Sequence, residues 1–316
     1  MPPIRQTQSY LRSLFAERGI APQRRLGQNF LIDLNIHEVI VKAAAVGPGD
    51  VILEVGPGTG ALTARMAAMG AAVVAVDVDP AMARLTAEAV AGLPNVKVIE
   101  CDALAGKHTL DPRVLDAVRS GLAAGPDGRF KLVANLPYHI ATPLITNLLV
   151  NPEPRPTLMV VTIQRELADR LIAPPSSGAY GAVSVVVQAL AEVSIVRGLP
   201  PSVFWPRPKV DSAVVAVRPD DVRRAAVGDV AWFHSLVRRV FLHRRKFIRH
   251  TLAGMWPDRW TKAEVDAWLE SQGLSGQLRP EALDVEEYIA LAHALAVRFA
   301  DPGEEPARNT GEVEDD

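Results

Sequence analysis

The chain has 316 residues, 48% of them apolar and 22% charged, with a net charge of −2. That is enough apolar material for one large domain and a smaller one, at a charge content ordinary for a globular protein. A single cysteine, Cys101, excludes an internal disulfide framework and a cysteine-rich metal site, and no metal is expected.

Apolar runs such as AAVVAVDVDP are too short to span a bilayer, and MPPIRQTQSYLRS has no signal-peptide core, so the expected location is the cytoplasm with no membrane partner. Charge is uneven. Residues 301–316, DPGEEPARNTGEVEDD, hold seven acids and one arginine, a local charge of −6 within the total of −2, which leaves +4 on the first 300 residues. The tail lacks periodicity and is expected to be disordered. A mildly positive body is compatible with a nucleic-acid partner without requiring one.

In chain order, SYLRSLFAERG places Leu11, Leu14 and Phe15 at helical spacing, with Ser9 as the candidate cap and Gly19 as the stop. RRLGQNFLID reads as a loop, followed by a helix through NIHEVIVKAAAV. Strands and helices then alternate: VILEV, a helix from Ala61, AAVVAVDV, a helix from Pro80, VKVIE, an irregular region, and FKLVANL. TLMVVTIQ, VSVVVQALAEVSIV and DSAVVAVRP read as further strands with a helix among them. Such apolar runs separated by helical patterns predict an α/β fold, with a parallel sheet covered on both faces. After Pro219 the chain turns helical without strands. The predicted organisation is an α/β domain over 1–219, in which 1–50 form an N-terminal helix and the segment that precedes the first strand. A helical domain over 220–300 and the acidic tail 301–316 follow.

The first chemical signal is ILEVGPGTGALT. A strand ends in Gly56-Pro-Gly58-Thr-Gly60 and enters a helix, where glycines let the backbone approach a ligand. Asp77 closes the next strand, where a carboxylate suits both hydroxyls of a ribose. The spacing G-x-G-x-G behind an acid, Glu54, departs from the dinucleotide pattern G-x-G-x-x-G. It suits S-adenosylmethionine, which has no pyrophosphate to seat on a helix N-terminus. In ECDAL, Asp102 is either a cap or the partner of an adenine amine, with Ala103 offering backbone contacts.

NLPY, residues 135–138, contains no acid, base or nucleophile. An exocyclic adenine amine is a poor methyl acceptor because its lone pair is delocalised into the ring. Two acceptors, the Asn135 side-chain oxygen and the Leu136 carbonyl, would hold both amine hydrogens and localise that pair. Pro137 would fix the turn and Tyr138 would stack on the base.

Taken together, LGQNFLID, LEVGPGTGALT, DVD, CDAL, NLPYHIATPL, QRELADRL, YGAVSV, VFWPRPKVDSAVV and FLHRRKFIRHTL resemble the ribosomal RNA adenine dimethyltransferases, specifically the branch acting on 16S rRNA. The resemblance runs collinearly over about residues 9–295. It implies a Rossmann-like S-adenosylmethionine-dependent methyltransferase sheet with a smaller C-terminal all-helical domain. It further implies dimethylation of two adjacent adenosines in the 3′ hairpin loop of 16S rRNA, within the 30S subunit or its precursor, with S-adenosylhomocysteine as product. Gln28, Asn29 and Leu31 would close over the cofactor, Gly56 and Gly58 meet its methionine part, Asp77 its ribose, Asp102 its adenine, and Asn135 both cofactor and target. Phe204 resembles the aromatic that sandwiches the base opposite Tyr138, although VFWPRPK alone reads equally as a stiff loop with a core phenylalanine. The resemblance implies rRNA contact by the helical domain through Arg244, Arg245, Lys246 and Arg249, on a helix reading RRVFLHRRKFIRH. Arg207 and Lys209 beside the active loop are similar candidates.

Three features depart from the family pattern: the loop PPSSGAYG lacks the usual lysine, residues 105–130 are long, and the acidic tail is extra. A surface helix is expected in 105–130. The rival readings are a 23S rRNA methyltransferase of the erythromycin-resistance type (disfavoured by Leu136, where that branch usually has isoleucine), an RNA-binding assembly factor with little turnover, and a nicotinamide dehydrogenase. A monomer is expected, since no dimer seam is evident.

Overall fold

A computed structural model describes residues 6–106, 109–125, 128–151 and 153–299. The acidic tail and its expected disorder lie outside the described residues. The chain divides into two compact units. One runs up to Ile172 and includes Leu190–Asp221; the other joins Ala173–Ala189 to the chain from Val222 onward.

The first unit is built on seven strands: β1 Asp50–Val55, β2 Ala72–Asp77, β3 Val96–Glu100, β4 Arg129–Asn135, β5 Leu158–Gln164, β6 Ala191–Leu199 and β7 Ser212–Pro219. They lie in the order β3-β2-β1-β4-β5-β7-β6. The first five pair in parallel, and β7 runs antiparallel between β5 and β6. The helices of this unit are α1 Gln8–Glu17, α2 Leu34–Ala43, α3 Ala61–Ala68, α4 Pro80–Ala89, α5 Pro112–Ala123, α6 Tyr138–Val150 and α7 Arg165–Leu171; α8, Ala182–Leu190, leads into β6. Every residue of β1 is buried, and all of β4 is buried between its first and last residues. Continuous apolar runs are what a sheet covered on both faces requires. Ile36 and Ile40 of α2 and Leu62 and Met66 of α3 close one face over Ile52, Val73, Val133 and Val160.

Parallel pairing aligns the carboxyl ends. Val55 lies opposite Val76, Asp77 opposite Glu100, and Asn135 opposite Thr162. Because β7 runs the other way, its first residue, Ser212, arrives at the same edge, opposite Gln164. The loops that follow these ends are where ligands bind in open α/β sheets.

The cap of one helix differs from the sequence reading. Thr7, not Ser9, caps α1: its hydroxyl accepts from the Tyr10 amide, because the helix starts one residue before Ser9, at Gln8. Within 105–130 the expected helix is α5. It is a surface helix as expected, with one face buried through Val114, Ala117 and Val118.

The second unit also contains α9 Asp221–Val227, α10 Val230–Phe241, α11 Ile248–Met255, α12 Lys262–Ser271 and α13 Val285–Arg298. Thr261 with Glu264 and Asp284 with Glu287 form reciprocal caps at the starts of α12 and α13. Phe233, Val237, Leu252, Leu269 and Leu295 fill its interior. The unit takes Ala173–Ala189 as well as the expected C-terminal stretch. Tyr180 is fully buried with its ring 6.3 Å from that of Phe241, and the Ser176 amide donates to the Glu281 carbonyl at 2.7 Å. A domain boundary at 219/220 therefore misses this segment, whose tyrosine belongs to the helical core.

Candidate active site

A cleft with an enclosed and mouth volume of about 1030 Å³ opens at the carboxyl edge of β1, β2 and β4. Its floor is the turn after β1. Gly56 and Gly58 have φ of +75° and +62°, in the left-handed region that excludes most side chains. A Cβ on Gly56 would lie 2.9 Å from Pro137 Cδ, and one on Gly58 would lie 3.0 Å from the Phe30 ring. Glycine here thus serves close approach as well as dihedral freedom.

Three acids line the cleft. Glu54 is 2% exposed and accepts from the Thr63 hydroxyl at 2.6 Å. Burial, partly offset by that bond, pushes its carboxyl up to about 8. Asp77 accepts the Asp79 amide at 2.9 Å. Its burial outweighs the bonds from the Asp79, Gly58 and Val78 amides and raises it to about 6. Both carboxyls sit where a ligand offering hydroxyls or a cation would draw them back to the ionised form. Asp102 is more exposed and bonds the Leu104 amide through Oδ1 at 2.9 Å, an Asx turn that engages only one of its oxygens.

On the opposite wall, the Asn135 side-chain nitrogen donates to the Asn29 carbonyl at 2.9 Å. This orients the amide and leaves Oδ1 as its remaining acceptor. The Leu136 amide donates to Thr162 at 3.1 Å, and among the described residues the Leu136 carbonyl accepts no hydrogen bond. Pro137 precedes the first turn of α6, where its own carbonyl accepts from Ile140. Tyr138 is half-buried, and its hydroxyl is 3.0 Å from that of Ser212. Burial raises this phenol more than the Ser212 bond lowers it, so it stays neutral.

The N-terminal segment closes one side. The Gln28 side chain donates to Asp79 at 2.8 Å, and Gln23 donates to the same oxygen at 2.9 Å. Asp79 also caps α4.

Gln28, Asn29 and Leu31, then Glu54, Gly56 and Gly58, then Asp77, Asp102, Ala103, and Asn135 to Tyr138 all line this single cleft. Phe204 does not. It is 3% exposed and pairs with Leu31 in a short antiparallel ribbon, packed in the cluster that contains Ile36 and Ile40. Its apolar ring is held in the core as β7 is approached, so of the two readings of VFWPRPK the structure has the core phenylalanine. Arg207 and Lys209 are exposed on the loop between that ribbon and β7.

The basic stretch is not one helix. Residues 242–247 are turns between α10 and α11, and they divide its cations. Arg244 donates to the Ser177 and Gly178 carbonyls at 3.4 and 3.1 Å, and Arg249 pairs with Asp266 at 3.0 Å, so both have internal partners. Arg245 and Lys246 are exposed.

Sequence reading missed several groups in or behind the cleft. Thr63 stands nine residues after Glu54, in the first turn of α3, and its burial is legible only once the strand-turn-helix is folded. Gln6 exchanges side-chain bonds with Thr59 on the glycine turn. Ser212 lay within a motif already singled out, and the antiparallel direction of β7 brings it to Tyr138. His37 emerges only because one face of α2 abuts the cleft.

The sequence model of the family described as "Ribosomal RNA adenine dimethylase" matches residues 21–293. The chain belongs to that family. Members similar to it include proteins named ribosomal RNA small subunit methyltransferase A. That of Pelotomaculum thermopropionicum is 41% identical over 90% of this chain and 95% of the relative, and that of Moorella thermoacetica is 37% identical over 90% and 96%. Among solved structures, a dimethyladenosine transferase from Plasmodium falciparum superposes with a TM-score of 0.65 at 24% identity, over 82% of this chain and 94% of that one. The 23S rRNA methyltransferase ErmE superposes with a TM-score of 0.57 at 25% identity, over 84% and 99%. Membership fixes the class of chemistry, methyl transfer to adenine of ribosomal RNA, and the Rossmann-like sheet with its helical partner is the architecture these structures share. Among the described residues no helix is long and apolar enough to cross a membrane.

Proposed function

We propose that this dimethylase uses S-adenosylmethionine to convert two adjacent adenosines in the 3′ hairpin loop of 16S rRNA to N6,N6-dimethyladenosine, acting on the small subunit or its precursor. The relatives named above as small-subunit methyltransferases support the target. The single observation that carries the chemistry is the Asn135–Asn29 bond, which turns the amide oxygen outward beside an unengaged Leu136 carbonyl.

The cleft fits the cofactor. It offers buried acids for an ammonium and for ribose hydroxyls, and a glycine turn with no room for side chains. A dinucleotide would bring a diphosphate beside Glu54 and Asp77, which offer it no cation. S-adenosylmethionine supplies an electrophilic methyl group on a sulfonium sulfur.

The protein's part is to present the acceptor. Asn135 Oδ1 and the Leu136 carbonyl take the two hydrogens of the adenine amine, pulling its lone pair out of conjugation and towards the methyl. As the bond forms, nitrogen gains positive charge, and the same two oxygens stabilise it. No strong base is required, because the proton leaves after that charge has developed. Tyr138, anchored by Ser212, offers a ring face for the extruded base. Release of the singly methylated product and a second round, with one hydrogen bond fewer, complete dimethylation.

Outside the cleft, Arg207, Lys209, Arg245 and Lys246 are exposed cations available to rRNA phosphates. A soluble monomer in the cytoplasm, where ribosomal subunits are assembled, completes this reading. Mass spectrometry of the 16S 3′ region from cells lacking the gene tests it. Adenosines that are unmethylated there and dimethylated on restoration are expected; full dimethylation without the gene refutes the assignment.

A further inference from the structure

His37 is an unexpected residue in this cleft. It lies in the first turn of α2, on the helix face that also buries Ile36, Ile40 and Val41. The residue is 4% exposed and lines the cleft. Among the described residues nothing bonds its ring. A neutral imidazole carries one donor and one acceptor, each open to a ligand in the cleft.

Charges of both signs act on it. Arg65 of α3 lies close enough to hold the imidazole neutral, second only to burial itself, while Asp33 at the start of α2 acts weakly the other way. Glu38, one residue on, pairs with that arginine and ties α2 to α3. Glu54 of β1 lines the same cleft, as do Leu31, Ala61 and Leu62. An amino acid bound here finds a carboxyl group to take its ammonium. Its carboxylate, repelled by that acid, finds the ring of His37 and the field of Arg65.

We propose that His37 is a cofactor ligand, its ring N–H donating to the carboxylate of the methionine part. This rests on the cofactor reading above. The second ring nitrogen stays unprotonated, and no proton is transferred. Asp77 and Asp102 would hold the nucleoside end, so His37 completes recognition of the end that is common to substrate cofactor and thioether product. Its contribution is to affinity and not to the methyl-transfer step.

The test is a calorimetric titration of the full chain with two ligands that differ in one group, S-adenosylmethionine and decarboxylated S-adenosylmethionine. His37→Leu removes the donor at similar volume. We expect about a tenfold rise in Kd for S-adenosylmethionine, the loss of one charge-assisted hydrogen bond, and a Kd within about twofold of wild type for the decarboxylated form. An unchanged Kd for S-adenosylmethionine, or equal weakening of both ligands, would overturn the inference while leaving the cofactor reading intact. Wild-type protein that binds neither ligand would overturn both. A measurement on wild type needs no variant to fold. The ring ¹⁵N resonances of His37 should shift on adding S-adenosylmethionine and stay in place on adding the decarboxylated form; resonances that ignore both, or respond equally, contradict the proposal.

Discussion

Asn135 donates its side-chain N–H to the backbone carbonyl of Asn29, 106 residues earlier, and so the N-terminal segment sets the orientation of the residue proposed to hold the methyl acceptor. Loss of the amide should slow methyl transfer more than it weakens binding. Asn135→Ala is expected to reduce kcat about 10²–10³-fold, as for removal of a group that acts mainly in the transition state, with the Kd for S-adenosylhomocysteine changed far less. Asn135→Asp keeps the shape, yet it opposes a carboxylate to the Asn29 carbonyl, so it should be nearly as slow. Single-turnover kinetics on small-subunit particles with parallel calorimetry reads both.

Gly56 constrains the cleft from below. Alanine there would combine a φ of +75° with a Cβ 2.9 Å from Pro137, so it disturbs the glycine turn and NLPY together. We expect Gly56→Ala to lower stability by about 1–2 kcal/mol and to abolish measurable cofactor binding. Urea unfolding and calorimetry check the two effects separately.

Proton uptake by Glu54 ties stability to pH. Its folded value of about 8 lies above the ordinary 4.5, so between these values the folded chain holds a proton that the unfolded chain releases. Stability of the ligand-free protein should therefore fall as pH rises from about 4.5 through about 8, by the linkage relation. Glu54→Gln removes this contribution. The stability difference between variant and wild type should grow in the variant's favour from pH 5 to pH 8, as read by denaturant unfolding at each pH.

The exposed and the internally bonded cations of the 242–249 stretch should separate. Arg245→Ala with Lys246→Ala is expected to weaken binding to small-subunit particles and to flatten log K against log salt by about one unit per cation, with the melting temperature unchanged. Arg244→Ala loses bonds to the Ser177 and Gly178 carbonyls, so it should lower the melting temperature. Binding titrations over a salt series and thermal melts distinguish the two.

Much of this site could be read from sequence because its parts are strand ends. Glu54, Asp77 and Asn135 each close an apolar run, and parallel pairing then forces them to one edge. The glycines were equally legible, since their spacing follows from positive φ. What escaped depends on contacts distant in sequence. VFWPRPK leaves Phe204 open between a base-stacking ring and a core aromatic, and its burial beside Leu31 decides for the core. His37 is one more buried position on an amphipathic helix until α2 is seen against the cleft. Tyr180 looked like part of the sheet domain, yet its ring packs against Phe241 in the helical unit. The basic stretch looked helical throughout because periodicity does not report a break made by turns at 242–247.

Methyl transfer in vitro tests the assignment most directly. Unmethylated small subunits and, separately, 23S rRNA are incubated with the purified chain and labelled S-adenosylmethionine, and the products are located by nuclease digestion and mass spectrometry. We expect N6,N6-dimethyladenosine at two adjacent positions of the 16S 3′ hairpin and no label in 23S rRNA. Label confined to 23S rRNA, or methylation of neither RNA, would contradict it.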